Sequence, residues 1–211
     1  MAEKLSLVSS IFAEATPTGA YYAISNPRMD NARRMLIRIL REGYRAPLIP
    51  DQLIDWAEAD SLDQALQLLF RLQRLEFVQG ITTPRSPPTG NLESILPPIL
   101  EKLSNSGRAL LADDNGFYLA SVGFRHETAE EIGALAGALL SLNEHHALLL
   151  RNHLNLNSSA WAITDPTGRS ELGFFPLYVG AQSFVLIIGG LPQFQTHDFL
   201  ILTEVLIRRY S

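Results

Sequence analysis

Hydrophobic positions along this chain recur with two periods, and the switches between them mark its elements. The helical period dominates the first ninety residues. Ala2–Ala15 places Leu5, Val8, Ile11 and Phe12 on one side, which predicts a short amphipathic helix. Ala20–Ile24, bounded by Gly19 and Pro27, reads as a strand. Asp30 or Asn31 caps a helix over Ala32–Glu42 with Met35, Leu36, Ile39 and Leu40 inward, Arg33, Arg34, Arg38 and Arg41 around the rest, and Gly43 as its stop. Pro50 opens a second helix to about Ala59, and Asp60 or Ser61 caps a third over Leu62–Arg74. Glu76–Ile81 then reads as a strand.

The stretch Thr82–Asn91, TTPRSPPTGN, has the composition of a stiff, extended, non-packing linker. A helix over Leu92–Ser104 follows, with Pro97-Pro98 required either in its first turn or at a kink. Two apolar runs, Arg108–Asp113 and Phe117–Val122, flank Asp114-Asn115-Gly116, a strong hairpin signal because Asn and Gly tolerate positive φ. The period then returns to helical. Thr128 and Glu131 fit a capping box, and Ile132, Leu135, Ala136, Leu139 and Leu142 follow helical spacing to at least Leu142, with an extension to about His153. A second stripe holds only small residues: Ala129, Gly133, Gly137 and Ser141. Glycine inside a helix costs about 1 kcal/mol relative to alanine, so two on one stripe imply that something approaches that backbone closely. Packing on the chain's own sheet and contact with a second copy both satisfy the requirement. Three strands joined by short turns (Ala160–Thr164, Ser170–Val179, Ser183–Ile188) and a last helix, Thr196–Tyr210, complete the chain.

From Leu92 onward the order is helix, two strands, helix, three strands, helix. This predicts an α+β unit, a five-stranded antiparallel sheet flanked by helices. A hairpin with a DxxG-like turn at Asp113–Gly116, followed by a long Ala/Gly/Leu-rich helix and three further strands, resembles the roadblock/dynein light chain family in its bacterial form; the order is also profilin-like. The resemblance covers about Leu92–Ser211. It implies a homodimer built from the second hairpin strand and the long helix, with Phe117, Leu119 and Ser121 on the strand and Ala129, Ile132, Gly133, Ala136 and Gly137 on the helix. It also implies a platform for a small Ras-like GTPase or another signalling protein, and activation of GTP hydrolysis in that partner by contact. Arg125, near the helix start, is the candidate GTPase contact.

The first part, three helices followed by a strand, resembles a winged helix-turn-helix. The expected division is residues 1–81 as a mainly helical accessory domain, 82–91 as linker and 92–211 as the roadblock-like domain. The alternative function is therefore a transcriptional regulator with a DNA-binding winged helix and a dimerising sheet domain. Its reading helix would be Leu62–Arg74, exposing Asp63, Gln64, Gln67, Arg71, Gln73 and Arg74.

Charge argues against DNA. Residues 1–90 carry ten basic and ten acidic side chains, and residues 91–211 carry seven and twelve, so neither part has a basic footprint by count. With no cysteine there is neither a disulfide framework nor a thiolate metal site. His145, His146 and His153 lack the convergence a metal needs, Gly189-Gly190 lacks the rest of a phosphate loop, and Asp113-Asp114 suits a turn. No catalytic residue, cofactor or metal is assigned, and the chain is expected not to be an enzyme. A sensor lined by Trp161, Phe174, Phe175 and Tyr178 is a third reading. No run reaches the ~20 apolar residues of a membrane span, and no secretory signal is visible, so no membrane insertion is expected and a cytoplasmic location is the default.

Overall fold

The computed structural model describes residues 5–86 and 88–211. The predicted helix at the start is replaced by a strand, β1 (Phe12–Ala15); Ala2–Lys4 lie outside the described residues. Residues 20–24, read as a strand from their aromatic and β-branched content, belong to a helix, α1 (Pro17–Ile24). Here the start signal overrides side-chain propensity: Thr16 accepts the Gly19 amide at 3.1 Å and Pro17 supplies a preset φ. Ala20, Ala23 and Ile24 then share one buried face.

The next elements follow the sequence closely. Helix α2 (Asn31–Glu42) is capped by Asp30, α3 (Pro50–Ala57) begins at Pro50, and α4 (Leu62–Arg74) is capped by Ser61. The strand β2 (Val78–Ile81) pairs antiparallel with β1 instead of opening a hairpin wing, since among the described residues no strand lies between β2 and the next helix. That helix, α5 (Leu92–Lys102), is capped by Asn91 and contains Pro97 and Pro98 beyond its first turn, while Leu96, Ile99 and Leu100 stay buried.

The sheet consists of β3 (Arg108–Asp113), β4 (Tyr118–Val122), β5 (Trp161–Thr164), β6 (Ser170–Val179) and β7 (Gln182–Gly189). Its order is β4-β3-β7-β6-β5, antiparallel throughout. The long helix α6 (His126–His145) covers one face, continued by a π-helical turn over Leu148–His153. The final helix α7 (His197–Tyr210) lies with α5 on the other face. The α+β order and five-stranded antiparallel sheet expected from the sequence are present.

Strand alternation divides the core in two. Leu110, Ala112, Phe174, Tyr178, Val185 and Ile187 point to α6. Ala109, Leu111, Leu177, Val179, Leu186 and Ile188 point to α5 and α7, and their cluster continues into α1 and α2 through Phe199 and Leu202. Helix α7 is therefore covered on both sides, and even its Thr203 and Glu204 are buried. The linker-like segment also packs at one point. Arg85 forms ion pairs with Glu14 of β1 (3.1 Å) and with Glu204 of α7, joining three parts of the chain.

Candidate interaction surface

The β3–β4 turn is built around Asp113. Its Oδ1 accepts the amides of Asn115 (3.0 Å) and Phe117 (2.9 Å), and Gly116 takes φ +87°, a value that favours glycine. This turn fills the small-residue stripe of α6. A Cβ on Gly133 would stand 2.4 Å from the Gly116 carbonyl oxygen, and one on Gly137 would stand 3.2 Å from that of Asp114. Ala129, Gly133 and Ala136 are buried against the chain's own sheet. The close neighbour that the glycines admit is the hairpin turn of the same chain.

Of the two neighbours the stripe allowed, the chain's own hairpin occupies it, and this sets the rotation of the helix. Large residues of the apolar helical stripe are partly outward: Leu135 is 44% exposed and Leu142 is 40% exposed. Seven residues apart, they share a face with the exposed Ala138. Phe117, directly after the turn, is 74% exposed. Leu148 and Leu149 extend the exposed apolar positions beyond the end of α6. Of the sequence-derived surface residues, Phe117 is open, while Leu119, Ser121, Ile132 and Gly137 are half-buried. Leu135, Ala138 and Leu142 were not among the sequence-derived surface residues, because the small-residue stripe and not the leucine stripe carried that expectation.

The start of α6 differs from its expected form. The N-cap is Arg125, three residues before the predicted Thr128, and it makes no side-chain cap. Its guanidinium is almost fully exposed, with Glu127 at 4.0 Å. Next to it, the Tyr118 hydroxyl and His126 Nδ1 share a hydrogen bond of 2.6 Å, and His126 Nε2 lies 3.5 Å from Glu130. Strand β4 stands at the sheet margin with β3 as its single strand neighbour, and its Ser121 hydroxyl is buried without a described partner. A strand at a sheet margin can pair with another strand.

The aromatics of the sensor reading do not line one concavity. Phe174 and Tyr178 point to α6, whereas Phe175 packs edge-on against Phe194 on the opposite face at 4.7 Å. Trp161 instead donates its indole N–H to Asn143 Oδ1 at 2.9 Å. Among the described residues no three His, Asp or Glu side chains converge as a metal site would require, and no helix is long and apolar enough to cross a membrane.

No family model matches the chain, and neither does any curated protein. Two solved structures are similar to it. One is a roadblock/LC7 domain from Streptomyces avermitilis, 14% identical, with a TM-score of 0.37 over 57% of this chain and 93% of that one. The other is MglB from Myxococcus xanthus, 13% identical, with a TM-score of 0.35 over 59% of this chain and 92% of that one. The chain's own element order and sheet topology carry the fold, and from α5 to α7 that order is the roadblock order: helix, hairpin, helix, three antiparallel strands, helix.

Proposed function

We propose that the chain is a non-enzymatic homodimeric regulator whose α6–β4 side binds a small Ras-like GTPase or an equivalent signalling protein. The observation behind this reading is the outward apolar row on α6. A 20-residue helix that packs its glycines inward and leaves Leu135 and Leu142 half-exposed, with Phe117 also exposed, supports contact with a second apolar surface. A two-fold contact would place the same row on both copies and let β4 of each extend the sheet. The opposite face is covered by α5 and α7, and α7 in turn by α1 and α2, which supports the α6 side as the platform.

The arginine row of α2 gives the DNA-binding alternative only partial support, since two of its four members are closely engaged by acids. Arg33 is paired with Asp30 at 2.7 Å and Arg34 with Glu58 at 2.7 Å. The proposed role is tested by light scattering coupled to gel filtration, with Leu135→Glu/Leu142→Glu as the disrupting variant. It is tested further by GTP turnover of a cognate GTPase with and without the protein. Dimer mass in the parent chain and monomer mass in a folded variant are expected. A monomer at high concentration, or no complex with the GTPase in either nucleotide state, refutes the reading. Arg125→Ala separates a contact arginine from a bystander, because loss of stimulation with the dimer intact is expected only of the former.

A further inference from the structure

A second surface lies on the other side of the sheet, where the ends of three helices meet. A cleft of about 820 Å³ is lined by Arg41 from the last turn of α2 and Arg45 from the turn after it, Arg208 and Arg209 from the end of α7, and the first turn of α5. Leu119, Ile95 and Val205 give it an apolar floor, and Glu93 is its one carboxylate. Four guanidiniums against one acid is a local excess of positive charge in a chain of net charge −5.

Two of the arginines are held by one tyrosine. The Tyr44 hydroxyl accepts hydrogen bonds from Arg45 Nε (3.3 Å) and from Arg208, whose guanidinium also stacks 4.6 Å from the Tyr44 ring centre. Tyr44 thus keeps two like charges side by side. Among the described residues Arg45, Arg208 and Arg209 form no ion pair, and Arg41 reaches only Glu42, at 3.9 Å. The N-terminus of α5 carries partial positive charge, while the C-terminal ends of α2 and α7 carry partial negative charge, so the cleft's positive excess rests on the arginine side chains.

We infer that this cleft binds a compact anion bearing two or more adjacent phosphoryl groups. Planar guanidiniums match phosphoryl oxygens in pairs, and four around one cleft favour clustered charges over a single one. The volume lies in the range of small-molecule sites and greatly exceeds one phosphate group. A free polyphosphate and a bisphosphorylated lipid headgroup share this chemistry. The inference does not depend on the dimer, since all the lining residues belong to one chain.

Titration calorimetry at low ionic strength with inorganic tripolyphosphate tests it, alongside flotation with phosphatidylcholine vesicles containing phosphatidylinositol bisphosphate. Saturable binding that weakens with salt is expected from at least one probe. Binding to vesicles alone assigns the lipid source, and binding to tripolyphosphate assigns the free anion. Arg45→Ala/Arg209→Ala alters two exposed side chains, so an unchanged circular-dichroism melt with affinity reduced by about tenfold or more supports the site. Arg45→Lys/Arg209→Lys keeps the charge and is expected to recover only part of that loss. Failure of both probes to bind, equal binding by the alanine variant, or equal competition by sulfate overturns the inference.

Discussion

Replacing Arg85 by alanine removes the cation that holds Glu14 and Glu204 together. Its guanidinium donates to Glu14 at 3.1 Å and to both carboxylate oxygens of Glu204, and the three side chains are 22%, 17% and 11% exposed. Breaking a buried pair from one side costs about 3–5 kcal/mol, because the remaining charge is desolvated and uncompensated. The residual exposure here puts the expected loss near the lower end, ~3 kcal/mol. For a chain of this length that corresponds to a fall of roughly 6–12 °C in melting temperature.

The pH dependence gives this prediction its specificity. Burial pushes the Glu204 carboxyl above its ordinary range, and Arg85 pulls it back in part. For Arg85 itself, burial opposes the charge, but Glu204 and Glu14 outweigh it and hold the guanidinium above the usual arginine value. A carboxyl with a raised folded-state pKa stabilises fully below its unfolded pKa, and that contribution is lost as pH rises through the folded value. Without Arg85 the folded value rises further. The variant's deficit is therefore largest near neutral pH and shrinks toward acid, as Glu204 takes up a proton in the folded state. Thermal melts of parent and variant from about pH 4.5 to 8 measure this directly. Arg85→Ala/Glu204→Gln is expected to restore much of the neutral-pH loss. A deficit independent of pH, or one below about 1 kcal/mol throughout, refutes the reasoning.

Other perturbations have sharper local readouts. Gly133→Ala places a methyl group 2.4 Å from a backbone oxygen and is expected to destabilise by about 1–3 kcal/mol in urea titration, despite alanine's better helix propensity. Gly137→Ala meets its nearest atom at 3.2 Å and should be close to neutral in the same titration. Asn143→Leu removes the acceptor of the Trp161 indole and the donor to the Ser159 carbonyl, with an expected loss of about 1–3 kcal/mol and a changed tryptophan emission.

The sheet and most helices were legible because the signals that start and stop them are local. Asp30, Pro50, Ser61 and Asn91 stand where the helices begin, and Asp113 to Gly116 make the turn where it was expected. The errors arose where tertiary context decided. Residues 20–24 look like a strand until Thr16 and Pro17 are recognised as a helix start, and residues 12–15 become a strand only because β2, more than sixty residues later, supplies the ladder. Arg85 could not have been singled out within a proline-rich segment, since both of its partners are distant in sequence.

The small-residue stripe shows how far a pattern can specify a surface. Gly133 and Gly137 correctly signal a close backbone approach, but a glycine records only that space is needed, and the hairpin turn Asp114–Gly116 of the same chain is the nearer claimant. Once that turn occupies the stripe, the rotation of α6 is fixed. Ala129, Ala136 and Leu140 go inward, and the remaining leucines have to emerge on the other side. An exposed Leu135 and Leu142 thus follow from the same glycines that first suggested an interface, displaced by about half a helical turn. That displacement makes the proposed contact separable from folding. Changes on the stripe act on the hairpin, whereas changes at Leu135 and Leu142 act on whatever the helix meets outside the chain. Light scattering on Leu135→Glu/Leu142→Glu and urea titration on Gly133→Ala should therefore respond independently.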